Sequence, residues 1–228
     1  MREDRKVKIG NFLFKHRGIL PAPFIILLLV FGSSPISLKS NLLKISGILI
    51  SILGEIIRMF VAGFAKEKTS GRGMTIEAST LVNYGLYSIV RNPLYIGNFL
   101  IFFGFLLFSE NLLMILFGSI IFWIYYYYIV VAEENFLRKK FGKEYDDFLK
   151  NVPRFIPKGF KIKLPKDKYD LKKAIFREKD TIFIWIVAFS FLKERLCNFC
   201  KPKLSFILIV SISLIFWITI NLYKRMKK

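Results

Sequence analysis

Two cysteines and one histidine in 228 residues leave little for thiol or metal chemistry. Cys197 and Cys200 form a lone CxxC near the C-terminal end, and His16 lies far from them in the chain, so a zinc site lacks its four ligands and no metal is expected. A redox pair or a disulfide remains compatible with that spacing. The single histidine also disfavours reactions that need an imidazole as base. Acidic residues are scarce as well: 16 Asp and Glu stand against 36 Lys and Arg, a formal net charge of +20. The cations sit between apolar runs rather than inside them, the pattern of basic loops facing an anionic cytoplasmic leaflet. No nucleic-acid motif accompanies the lysine clusters, so no nucleic acid is expected as a partner.

What the chain has in abundance is apolar surface. It is 54% hydrophobic and 17% aromatic, with 25 phenylalanines, far more than a soluble domain of this length needs. The composition predicts an all-α, polytopic integral membrane protein. Residues 1–17 are polar and basic, which places them in the cytoplasm, and they are too basic for a typical cleaved signal. Residues 19–33 are apolar apart from Pro21 and Pro23 but short against the about 20 residues of a full crossing. Gly32, Ser33, Ser34 and Pro35 end that run. Residues 41–65 are long enough to cross, and within them Glu55 and Arg58 lie three apart on one helical face. Such a pair marks either an interhelical salt bridge or a site. Residues 66–90, with Gly71 and Gly73, read as a cytoplasmic connection.

The stretch from Gly85 to Gly97 organises the rest. It sets Arg91 and Asn92 at a bilayer boundary, where each costs free energy without a partner. Pro93 suits the first turn of a helix. Two apolar segments follow, 93–108 and 111–132, joined only through Ser109, Glu110 and Asn111, so they form an antiparallel hairpin. Arg91 and Glu133-Glu134 must then lie at the same membrane face. Tyr125, Tyr126, Tyr127 and Tyr128 spread their hydroxyls around the helix just before the acidic pair, as an aromatic belt with one or two members free to line a cavity. Residues 135–153 carry apolar positions at helical spacing, interrupted by Gly142, and read as an amphipathic element lying on the membrane, with Phe141, Tyr145 and Phe148 buried in the interface. Residues 158–179 read as basic and solvated. Residues 181–192 and 204–223 are two more apolar runs; their topology conflicts with the positive-inside tendency at Lys193, Arg195, Lys201 and Lys203.

Arg91-Asn-Pro-Leu-Tyr-Ile-Gly97, an apolar hairpin, Glu133-Glu134, Phe141-Gly-Lys-Glu-Tyr145 and Val152-Pro153 with Pro157 follow one another in order. Together they resemble the family of membrane methyltransferases that contains isoprenylcysteine carboxyl methyltransferases and phospholipid N-methyltransferases. The resemblance implies a four-helix core over residues 1–157 with an interfacial amphipathic helix, a cytoplasmic N-terminus and cofactor site, and a C-terminal extension over 158–228 carrying one or two further membrane helices. It implies S-adenosylmethionine as methyl donor and a lipophilic small molecule or a lipidated acceptor reaching the site from the bilayer lipid. Arg91 and Asn92 are the implied catalytic residues. Tyr87, Asn92, Tyr95, Gly97, Glu133 and Glu134 are the implied cofactor contacts: the glutamates for the ammonium or ribose hydroxyls, Arg91 and Asn92 for a carboxylate or the acceptor's head, the tyrosines as aromatic faces for the sulfonium. Gly97 by itself is explained by close helix packing.

The chain departs from the family in two places. Asn92 stands where the family has His, and an amide can donate and accept hydrogen bonds but cannot titrate near neutrality. The tyrosines 125–128 stand where the prenylcysteine enzymes carry basic residues, which speaks against a carboxylate acceptor gripped by several arginines. Two other readings accommodate the same residues: a sterol-type membrane reductase using reduced nicotinamide cofactor, and a non-catalytic helical scaffold. The scaffold leaves the polar cluster at one membrane face without a purpose. Nothing in the sequence assigns an oligomeric state.

Overall fold

The computed structural model describes residues 2–18, 26, 41–65, 75–165, 167–196 and 204–226. The apolar run at 19–33, its turn residues, Gly71, Gly73 and the CxxC of Cys197 and Cys200 lie outside the described residues. Among the described residues the chain forms seven α-helices and one short 3₁₀ turn, with no strand. They are α1 (Arg2–Lys15), α2 (Asn41–Phe64), the 3₁₀ turn (Gly85–Ser88), α3 (Pro93–Phe108), α4 (Leu112–Phe141), α5 (Lys143–Asn151), α6 (Leu171–Leu196) and α7 (Leu204–Met226). Three of these, α2, α4 and α7, are long and apolar enough to cross a membrane, and α3 is a shorter apolar helix. Their large apolar side chains are widely exposed, including Leu49, Ile56, Phe117 and Ile215, as lipid-facing surfaces require.

The tightest contact joins α2 to α3, and small residues make it. A Cβ on Gly54 would lie 2.7 Å from the Gly97 carbonyl oxygen, and one on Gly104 would meet Ser51 Oγ at 2.1 Å. Lipid tails are as apolar as leucine, so helices in a bilayer gain little by burying leucine and much by bringing backbones close. Ser51 Oγ adds a hydrogen bond to the Ile101 carbonyl at 3.0 Å. At the hairpin-turn end of this contact Lys44 pairs with Glu110 at 3.2 Å.

The hairpin turn forms as its length requires. Ser109 caps α3, Glu110 takes a left-handed φ of 54°, and the Asn111 side chain accepts from the Met114 amide at 3.1 Å to start α4. The segment 135–141 is not a separate surface element but the continuation of α4, which runs unbroken to Phe141. Gly142, at φ 52°, then turns the chain, and α5 folds back. The N-terminal segment, read as polar and basic, is a helix laid antiparallel along the end of α4. Its Phe14 is 1% exposed and packs with Phe122, Tyr126 and Ile129.

The C-terminal part differs from expectation in one further respect. Residues 171–179 are not solvated linker but the first turns of α6, which packs on α2, and Glu178 there is 0% exposed. A carboxylate tolerates that burial because Arg58 Nε of α2 donates to Glu178 Oε2 at 2.9 Å. Leu192, Phe189 and Ala188 continue the contact with Phe105 and Phe108 of α3. The last helix, α7, packs on α6 through Trp217, whose indole donates to Asp180 at 2.7 Å and whose ring stacks on Phe183.

Candidate active site

Pro93 opens α3 because its missing N–H falls where no intrahelical partner exists. Asn92 therefore sits at the helix mouth, its carbonyl accepting from the Tyr95 and Ile96 amides. Its side chain is buried and donates through Nδ2 to the Arg154 carbonyl at 3.2 Å, while the Arg91 amide donates to the Pro153 carbonyl at 2.9 Å. The segment after α5 thus straps the start of α3. This strap brings Arg154, a residue the sequence reading did not single out, beside the acidic pair.

The hairpin returns the chain as its short turn demands. Glu134 meets Arg91 Nη2 at 3.3 Å and takes Arg154 side-on, with Nε at 3.0 Å and Nη2 at 2.5 Å from its two oxygens. That bidentate bond holds Arg154 firmly cationic, raising its pKa further. Arg91 is less well satisfied. Its Nη1 reaches the Leu149 carbonyl at 3.4 Å, and its buried Nε has no hydrogen-bond partner. Glu133 takes a hydrogen bond from the Tyr95 hydroxyl and forms no ion pair among the described residues. The two neighbouring carboxyl groups are therefore divided: Glu134 is neutralised by arginines, and Glu133 is held by the Tyr95 hydroxyl.

Arg91, Asn92, Tyr95, Glu133 and Glu134 border one cavity of about 630 Å³, with Tyr87 closing one side and Tyr145 and Phe148 of α5 another. Tyr145 and Phe148, expected to bury in the membrane interface, line the cavity, because the turn at Gly142 carries α5 over it. Tyr145 is 1% exposed. Burial pushes the hydroxyls of Tyr87 and Tyr145 well above the ordinary tyrosine range, and the carboxylates of Glu133 and Glu134 respectively push them further. Both stay neutral donors.

Of the residues singled out from sequence, Arg91, Asn92, Tyr87, Tyr95, Glu133 and Glu134 all line this cavity. Gly97 does not. It is buried between α2 and α3, where a Cβ would meet Arg58 Cγ at 2.6 Å, so its place in the fold is helix packing.

The deeper wall joins Arg58 and Tyr126, both raised by the sequence reading, to Asn98 and Thr181, which it missed. Arg58 donates to Asn98 Oδ1 and, at 3.1 Å, to Thr181 Oγ1, and Asn98 donates to the Tyr126 hydroxyl at 3.0 Å. Arg58, Asn98, Tyr126 and Thr181 also border a second space, an apolar groove of about 310 Å³ between α3, α4 and α6 lined by Phe102, Phe105, Ile121 and Ile184. Trp185 lines the groove too, its indole N–H buried without a partner. One signal for Asn98 was available: it lies three residues after Tyr95, on the same face of an otherwise apolar helix. Among the described residues no group of three or more His, Cys, Asp or Glu side chains is arranged to hold a metal ion.

Comparison with known proteins bears on this site. The phospholipid methyltransferase family matches residues 42–144, which include α2, α3 and the acidic pair. The cobalt-zinc-cadmium resistance protein CzcN of Cupriavidus metallidurans is 27% identical over 82% of this chain and 84% of its own length. The protein-S-isoprenylcysteine O-methyltransferase of Schizosaccharomyces pombe is 34% identical over 34% of this chain. The mouse protein of the same name is 33% identical over 54% of it. The matches span 33% of the yeast enzyme and 44% of the mouse one. No solved structure matches. Over residues 42–144, less than half of its length, the chain is similar to the isoprenylcysteine and phospholipid methyltransferases, a likeness its membrane helices accompany.

Proposed function

We propose that the protein transfers a methyl group from S-adenosylmethionine to a lipophilic acceptor at the membrane boundary. One observation carries the reading: the polar cavity holding Arg91, Asn92, Glu133 and Glu134 adjoins an apolar groove between membrane helices, with Arg58, Asn98, Tyr126 and Thr181 lining both. A scaffold needs neither space, and a soluble-substrate enzyme needs no groove. The cavity's about 630 Å³ falls within the range of cofactor sites, roughly 300–1,000 Å³.

The residues present fit the cofactor. Glu133, free of any ion pair among the described residues, suits the ammonium or the ribose hydroxyls. Arg91, with its unsatisfied Nε, and Asn92 suit the carboxylate. Tyr87 and Tyr95 offer neutral aromatic faces to a sulfonium. When bound, S-adenosylmethionine supplies an electrophilic methyl group open to in-line displacement. What the protein adds is position and dryness: α5 covers the cavity, the groove takes the acceptor's apolar chain, and the Arg58 network stands at the acceptor's polar head. Arg58 is already neutralised by Glu178, so that head meets hydroxyls and an amide rather than a free cation. This favours an uncharged nucleophile such as an amine over a carboxylate. The site and the N-terminus face the cytoplasm on this reading, as the basic α1 favours.

The test uses the protein in nanodiscs with radiolabelled S-adenosylmethionine. Wild type binds the label and passes it into solvent-extractable lipid, and Glu134→Ala and Arg91→Ala each weaken binding at least about tenfold, the loss of one charge-assisted hydrogen bond. Unchanged affinity in both variants would refute the site, and stabilisation by NADPH but not by S-adenosylmethionine would refute the reaction class.

A further inference from the structure

A second polar cavity, of about 500 Å³, lies behind the first, and Arg91 and Glu134 form the wall between them. Its other polar lining comes from Glu3 and Lys6 of α1, Tyr127, Asn135 and Arg138 of α4, and Arg154 of the strap. The cations there outweigh the anions. Glu134 is already engaged by both Arg91 and Arg154. Arg138 shares Asp146 in a pair whose members are 59% and 45% exposed, so water screens it heavily. Lys6 finds only a neutral partner, donating to the Tyr127 hydroxyl at 3.1 Å. Glu3, the remaining acidic group, is exposed on the same helix as Lys6.

The lining of this one hollow thus carries four cations, Lys6, Arg91, Arg138 and Arg154, against the two carboxylates Glu3 and Glu134. Like charges gathered in a part-buried space repel unless an anion sits among them. The guanidinium forks of Arg138 and Arg154 match the oxygens of a phosphate, and Lys6 supplies a point charge. The hollow flanks α4 beyond its apolar run, among Asn135 and Arg138.

We propose that this second cavity is a binding site for a phosphate group, held by Lys6, Arg138 and Arg154. A lipid headgroup and free phosphate present the same oxygens, and the experiment separates them. The site is tied to the first cavity because Arg154, a ligand of the phosphate, is also the bidentate partner of Glu134. The proposal stands on the charge and shape of the second cavity and does not depend on what reaction the first performs.

The experiment measures thermal unfolding of the full chain in maltoside detergent, which carries no phosphate, at constant ionic strength. One arm titrates inorganic phosphate; the other adds phosphatidylglycerol to the micelles. Stabilisation in the lipid arm identifies a headgroup site, and stabilisation in the phosphate arm identifies a soluble ligand. In either case Lys6→Gln and Arg138→Gln raise the half-saturating amount about tenfold, the loss of one charge-assisted hydrogen bond. Lys6→Arg keeps the response, and so does Lys8→Gln, which removes an exposed charge from the same helix. Stabilisation in neither arm overturns the proposal. So does a response that survives both glutamine variants, or one that Lys8→Gln or Lys6→Arg weakens as much as Lys6→Gln.

Discussion

Replacing Glu178 by glutamine tests how α6 is attached. The side chain is 0% exposed, and Arg58, its partner across 120 residues, is 14% exposed. Glutamine keeps the shape and removes only the charge. Arg58 then remains a buried cation whose nearest ligands, Asn98 and Thr181, are neutral. Breaking a buried ion pair from one side costs about 3–5 kcal/mol, because the stranded charge keeps its desolvation penalty. For a chain of this length that is a fall in melting temperature of roughly 6–20 °C. Scanning fluorimetry in detergent reads it. The double variant Arg58→Met, Glu178→Leu removes both charges and recovers most of the loss, since well-packed apolar replacements of a buried pair are often neutral. A single variant melting within about 2 °C of wild type would refute the argument, because that is under 1 kcal/mol.

Two more expectations follow from the packing and the buried phenols. Gly97→Ala forces a Cβ to within 2.9 Å of the Gly54 carbonyl oxygen, and overpacking of that kind costs about 1–3 kcal/mol; a variant that melts like wild type yet binds S-adenosylmethionine poorly would return Gly97 to the cofactor site. Tyr87 and Tyr145 have folded pKa values raised above the 10.0 of a free tyrosine, so the folded state holds their protons more tightly. Their neutral forms cost nothing below about pH 10, and stability falls as pH climbs beyond it, when the unfolded chain ionises first. Tyr87→Phe and Tyr145→Phe each move alkaline unfolding to higher pH, and an unchanged midpoint in both would show that their burial is not what opposes ionisation.

Much of the candidate site was legible because local rules sufficed. Pro93 sets a helix start, a three-residue link allows only an antiparallel return, and Arg91 and Glu134 must then meet at one face. The polar cost of Arg91, Asn92, Glu133 and Glu134 at a membrane boundary pointed to the same place. Residues 93–108 form a helix to the residue, for the same reason.

The rest depended on how elements are placed against one another. Arg58 and Glu55 read as marking an interhelical salt bridge or a site, but the sequence did not name the partner, which for Arg58 is Glu178 of α6. That carboxylate sits in a stretch so basic that it looks solvated, and only the docking of α6 on α2 makes its burial tolerable. Among four consecutive tyrosines only Tyr126 turns into the cavity, which the packing of α1 and α3 around α4 decides. Tyr145 and Phe148 carried the spacing of a surface helix, but a left-handed turn at Gly142 put them over the cavity instead. Local spacing determined which residues are polar at the membrane boundary and which helices must pair. Tertiary structure alone decided which charges are neutralised, because a buried charge is stable only beside a partner that no sequence distance announces.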